Sequence, residues 1–402
     1  MTGGTAQLAS GGSTTSSASG SGGVGASSGG VPAKAGSAGN AGAGKSSSGG
    51  GSGSDNPGRG GAGTGGIGAS AGSGGTPATG GGAGANNAGA SSKGACPDAL
   101  VGWASVAGDG VATTTGGGTA PKVRPSTAAE LEQYAGDDEP RVIEIASVFS
   151  VPRLTVASNK TLIGVGANAR IDGGIRIRGS ADVVISNVIV KNLRVNGRTT
   201  DVDGDAVQVY NAHHVWIDHV EIYDGVDANL DVVHGSNWVT ISWSKFHYTS
   251  AALDPEHKYS TLIGHSDDNA EEDMGRLNVS LHHNWWAEGV TERMPRVRFG
   301  KVHSFNNLFA SPGNNYCLRA GHGAQLLIEN NYFQGVSNPH EFNNDEDEQT
   351  AHITERNSAY SGATGTQARD GGGTPFTSAP YPLVLEPAAD VPARVQACAG
   401  PR

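Results

Sequence analysis

Cysteine is scarce in this sequence: three residues in 402 cannot form a disulfide scaffold. Cys96 and Cys398 stand far apart, and a bridge between them would clip the two ends of the intervening chain in an oxidising compartment. Cys317 has no positively charged Cys/His motif around it and reads as a small buried hydrophobe. Basic residues are also few: 27 Lys and Arg face 38 Asp and Glu, a formal charge of -11. No basic stripe is present, which excludes nucleic acid as the partner. No apolar run approaches transmembrane length, so no membrane span is expected. In the first 95 residues, runs such as Ser10–Ser13 and Thr79–Gly84 have neither aromatic nor large aliphatic side chains. Such a segment cannot bury enough surface to offset its ordering entropy, so residues 1–95 read as a disordered Gly/Ala/Ser linker. Residues 96–402 read as one folded domain, with 23 basic residues against 37 acidic ones.

Within that domain the pattern is one of short strands. Thr127 followed by Glu130 and good helix formers predicts a short capping helix over 127–134. Arg141–Ile145 and Lys160–Gly164 read as strands. A motif then recurs, starting at Val183, Val215, Val239, Val279, Val302 and Leu326. With longer gaps taken as loops, the repeat is 22–24 residues, too short for a helix in every unit. Stacked strand-and-turn coils of this length make an all-β fold, a parallel β-helix, and the family resemblance drawn below implies that it is right-handed. Asn306-Asn307 and Asn330-Asn331 fall in phase and predict a stacked asparagine ladder. The segment from Glu346 to Arg402 reads as irregular structure wrapping back along the coils.

Two of the gaps are long, and extra residues there must leave the coil as loops, where function concentrates. Asp203 and Asp205 are two apart, and Asp227 and Asp231 four apart, each pair in phase on an extended segment. Four carboxylates on successive coils suit a hard cation with oxygen ligands, Ca²⁺ rather than zinc or copper. Arg293, Arg296 and Arg298 follow within six residues, with Pro295 expected to bend the strand. Carboxylates around a cation, next to arginine forks, suit an anionic chain, and such a site inverts the local field of an acidic protein. Asp218-His219 has no nucleophilic serine motif near it and reads as structural. Trp285-Trp286 offers a sugar-stacking surface, though only one ring of the pair can face outward. The acidic run Asp267–Asp273 reads as a solvated loop.

Together, Asp203-Gly-Asp205, Val215-Trp-Ile-Asp-His219, Asp227-Ala-Asn-Leu-Asp231 and Arg293-Met-Pro-Arg-Val-Arg-Phe-Gly300 resemble the motifs of the pectate lyases of polysaccharide lyase family 1. The resemblance covers roughly residues 96 to 345. It implies calcium-dependent β-elimination of α-1,4-polygalacturonate to 4,5-unsaturated products, with the acidic polysaccharide as the partner of a monomer. It further implies that Asp203, Asp205, Asp227 and Asp231 bind Ca²⁺, with Asp227 shorter than the Glu of many members. Arg293 would abstract the proton, Arg298 would bind a substrate carboxylate beside Arg296, and Lys258, one residue off the family spacing, would reach the substrate from a loop. Since a guanidinium is almost always protonated, the role given to Arg293 implies an alkaline optimum. A low-complexity tether ahead of such a domain goes with export, so a secreted, cell-surface-tethered or free protein is expected, its signal upstream of Met1. The alternatives are a pectin lyase acting on methyl-esterified chains, which needs no metal, and a non-catalytic pectin-binding β-helix.

Overall fold

The structure, a computed structural model, describes residues 96–198 and 204–402. Ten parallel strands form one sheet, from Lys122–Val123 through Ala212–Asp218 and Asn237–Ser242 to His352–Arg356. A second, fifteen-stranded sheet is bent in two because Arg170–Arg178 is long enough to pair with Arg194–Asn196 at one end and Val207–Tyr210 at the other. Three walls of strands result, wound as a parallel β-helix. Each coil leaves its alternate apolar residues inside, so Val188, Val215, Val239, Val279, Val302 and Leu326 lie side by side, all fully buried. That burial is the main stabilising term and runs unbroken along the axis.

The strands Arg141–Ile145 and Lys160–Gly164 form as expected. So does the helix Ala128–Gly136, whose N-cap Thr127 hydroxyl accepts the Glu130 N–H at 3.2 Å. Val183, however, does not open a coil. It and Val184 are about half exposed, and the strand begins at Ile185, with Val188 in the core column. The coil is therefore 27 residues long there, from Val188 to Val215. The coil also continues past Glu346, through His352–Arg356 and Ala359–Ser361, and the chain ends in the helix Val391–Cys398. Only the stretch between these elements is irregular.

The paired asparagines divide two tasks. The first of each pair, Asn306 and Asn330, takes a left-handed turn with φ of 51° and 52°, joined in that column by Asn192, His219, Trp243, His283 and Asn357. Asparagine tolerates that conformation better than most residues. The second of each pair forms the ladder: Asn284 N–H donates to Asn307 Oδ1 at 2.9 Å, and Asn307 N–H to Asn331 Oδ1 at 2.8 Å. Inside, Phe246, Trp286, Phe309, Phe333 and Tyr360 stack along the axis at 4.6–5.5 Å between ring centres. Trp286 is fully buried, and Trp285 packs under Lys245 and against Leu308. Neither tryptophan lines the cavity where the carboxylates meet.

Cys96 and Cys398 form a disulfide across a sequence separation of 302. Closing so long a loop limits the unfolded chain, so replacing both cysteines with serine should cost about 3 kcal/mol and lower the melting temperature by roughly 5 °C. Calorimetry of the double variant checks this; an unchanged midpoint would mean that the clip does not hold the fold. Cys317 is buried as expected, and burial pushes its thiol up, away from nucleophilic use.

Candidate active site

A groove runs along the outer face of the strands Arg170–Arg178, Val207–Tyr210, Ala228–Val233, Tyr259–Ile263, Arg296–Val297 and Leu318–Ala320. Register sets its lateral neighbours: Arg176, Gln208, Asp231, Leu262, Arg296 and Arg319 follow one another across the strands. At its centre is a cavity of about 400 Å³ where Asp205, Asp227, Asp231 and Arg293 meet, with Gln208 and Leu262 beside them. Asp203 lies outside the described residues. Asp205 precedes its strand rather than lying on it, and Asp227 likewise sits just before Ala228–Val233. Asp231 is the member set on the strand itself.

Three carboxylates facing one another carry an electrostatic cost. Burial, then the Asp227 charge, pushes Asp205 up to about 7, against the pull of Arg176, Gln208 and Arg293. Burial and the Asp205 charge hold Asp231 well above the usual carboxylate range. Asp205 Oδ1 is buried without a hydrogen-bond partner, while Oδ2 accepts from Gln208 Nε2 at 3.2 Å. An oxygen-only donor set with mutual repulsion and a bare buried oxygen fits a hard divalent cation. Another group, Asp98, Asp218 and His219, has ligand atoms within 4.8 Å of one another. It is already neutralised, since Lys191 Nζ bonds Asp98 and lies 3.2 Å from Asp218 Oδ2, and Arg402 is 3.6 Å from Asp98. These residues tie the chain ends to the coil, the structural part expected of Asp218 and His219.

The arginines divide. Arg293 has φ of 60°, which turns it out of the strand path, and its guanidinium lies over the Tyr259 ring at 4.2 Å. Its Nε is buried without a partner. Arg296 also has an unpartnered buried Nε, and burial together with Arg298, Arg293 and Arg319 draws it below the ordinary guanidinium range. Arg298 is almost fully buried. Its Nε is paired with Asp267 and its Nη1 donates to the Gly264 carbonyl at 3.1 Å. The acidic run is thus not simply solvated: Asp267 holds Arg298, and Asp273, fully buried at the end of the short helix Ala270–Asp273, accepts the Gly235 N–H at 2.7 Å. Lys258 stands just before Tyr259–Ile263, its carbonyl accepting the Thr291 N–H at 2.9 Å, outside the residues lining the central cavity. Sequence reasoning missed Arg176, Gln208, Tyr210, Tyr259, His234 and His265; only lateral register or ring contact connects them to the centre.

Fold and site together make an open parallel β-helix groove with a carboxylate nest facing fixed arginines. The family profile described as "Pectate lyase" matches residues 67–370. Pectate lyase A of Aspergillus niger is 31% identical over 326 residues, covering 75% of this chain and 88% of that protein. Pectate lyase D of Dickeya chrysanthemi is 30% identical over 290 residues, 58% of this chain and 69% of the relative. Among solved structures, a Bacillus sp. N165 pectate lyase in complex with trigalacturonate superposes with a TM-score of 0.62 at 24% identity, over 75% of this chain and 99% of that one. The cedar pollen allergen jun a 1 gives 0.60 at 21%, over 75% and 93%. The chain belongs to the pectate lyase family and is a polysaccharide lyase. No helix among the described residues is long and apolar enough to cross a membrane.

Proposed function

We propose that this chain is an exported, monomeric, calcium-dependent lyase that cleaves un-esterified polygalacturonate by β-elimination. The observation that carries this reading is the meeting of Asp205, Asp227, Asp231 and Arg293 around one cavity in the groove. Asp203, two residues before Asp205, is the proposed fourth ligand. Ca²⁺ held there would supply positive charge to a uronate carboxylate and so acidify the carbon next to it. Arg293, in neutral form, takes the C5 proton. The electron pair forms the C4–C5 double bond, the bond from C4 to the glycosidic oxygen breaks, and solvent protonates that oxygen. Arg296 and Arg298 hold uronate carboxylates, and the Asp267 and Gly264 contacts keep the Arg298 fork fixed. Lys258 reaches the chain from its loop. Relatives support the substrate class: one solved pectate lyase carries trigalacturonate and another a hexasaccharide.

The test is ultraviolet absorbance of unsaturated uronides released from polygalacturonate and from fully methyl-esterified pectin. The acid chain should be the better substrate by a wide margin. Preference for the esterified chain would assign the pectin lyase reading instead, and no product from either would leave a binding protein.

A further inference from the structure

The ten-stranded wall carries a cavity of its own, away from the groove, which lies on the other sheet. It holds about 360 Å³, the scale of a small-molecule site, and its surface is mostly apolar. The strands Asn237–Ser242, Val279–His282 and Lys301–Phe305 end there and supply Trp243, His282, His283 and Phe305. The two ends of the folded chain close it, with Val101 on one side and Glu386 on the other. The rings lie flat on one another: Trp243 stacks on His283 at 4.0 Å between centres, and Phe305 on His282 at 4.8 Å.

His283 is buried, and its Nε2 has no hydrogen-bond partner. Burial draws both histidines below the ordinary imidazole range, so both rings are neutral at neutral pH. Their neighbours then fix which nitrogens carry protons. His282 Nε2 lies 3.1 Å from the Val101 carbonyl, which only accepts, so Nε2 holds the proton and Nδ1 is bare. His283 Nδ1, 3.0 Å from His282 Nδ1, must therefore donate. The lone pair of His283 is left on Nε2. Glu386 Oε1, 3.7 Å away, is itself an acceptor and cannot satisfy it.

We propose that this cavity binds an uncharged aromatic alcohol, a phenol, whose O–H donates to His283 Nε2 while its ring packs against the Trp243 and Phe305 walls. The site is separate from the groove and does not depend on the lyase reading. A buried acceptor left unmet costs about 1–3 kcal/mol, which a ligand hydroxyl would recover. Glu386 disfavours an anion, and Arg394, 3.6 Å from the same Oε1, already answers its charge, so a cation gains little. A free sugar would turn most of its hydroxyls to apolar walls. The first 95 residues contain no Phe, Tyr or Trp, so that part of the chain has no ring to offer.

The probe is p-cresol, titrated into the full chain at neutral pH and followed by saturation-transfer NMR, beside its methyl ether, which has no proton to donate. The phenol should saturate and bind about tenfold more tightly than the ether, the worth of one hydrogen bond to a buried acceptor. His283→Phe, which keeps a flat ring but loses the acceptor, should bind the two alike. His283 has φ of 54°, where a substitution can disturb the turn. Ala99→Trp, at an exposed position lining the cavity, is therefore the second variant and should bar both compounds. No saturable binding of p-cresol, equal affinity for phenol and ether, or a preference that survives in either variant would overturn the site.

Discussion

Arg293→Lys should lose between about 10² and 10⁴ in kcat on polygalacturonate while melting within a few degrees of the parent, the range expected when a general base is displaced. The substitution keeps a positive charge but removes the planar fork and changes reach and basicity. Arg293 is the site's one arginine that both lines the central cavity and has a buried Nε without a partner. Its φ of 60° and the Tyr259 ring beneath it aim the guanidinium rather than pair it with an acid. Arg298 is different: Asp267 and the Gly264 carbonyl already hold it, so Arg298→Lys should raise KM more than it lowers kcat. Steady-state kinetics on both variants, with thermal melts as the control for folding, separate these roles. Near-parental kcat in Arg293→Lys would move the base elsewhere, first to Lys258.

Removing calcium should abolish activity, and it should also change how stability depends on pH. In the metal-free protein Asp205 is pushed up to about 7, and Asp231 is displaced the same way by burial and by Asp205. A carboxyl whose folded pKa lies above its unfolded value binds more protons when folded. Its penalty is absent below the unfolded value and grows as pH rises towards the folded one. The chelated protein should therefore become less stable from about pH 4 to 7, by a few kcal/mol at most. Added Ca²⁺ should restore the loss most at the upper end, where the carboxylates are ionised. Melts in chelator and in excess Ca²⁺ across that range check the sign. Equal melting curves, with activity surviving chelation, would remove the cation from this site and leave the carboxylates a structural role.

The repeat was legible because it is written in the chain's own order. Val215, Val239, Val279, Val302 and Leu326 recur in phase, and the structure stacks them in one column. Val183 misled because an apolar pair carries no phase of its own: Val183 and Val184 are exposed, and Val188 is the true column member. The last coil escaped notice because Ile353 and Tyr360 sit in an otherwise polar stretch, where the stack from Phe333 to Tyr360 reveals the continuation. Of the site, Asp205, Asp227, Asp231 and Arg293 were readable from motif spacing. Arg176 and Gln208 were not, because they reach the centre sideways, across coils. The Arg298–Asp267 pair spans 31 residues for the same reason, and no local pattern in the sequence records it.

The clip between Cys96 and Cys398 makes the folded part a covalent ring as well as a coil. A ring has no free end from which to unravel, so a single peptide cut on its surface leaves one molecule, with both fragments tethered. A protease would have to cut twice to release a piece. The same closure marks the domain as a candidate for circular permutation, with new ends opened at an outer turn such as Gly313, where an added Cβ would meet nothing within 4 Å. Moving the ends there would leave the groove's strands uninterrupted and free the original termini to be joined by peptide instead of sulfur.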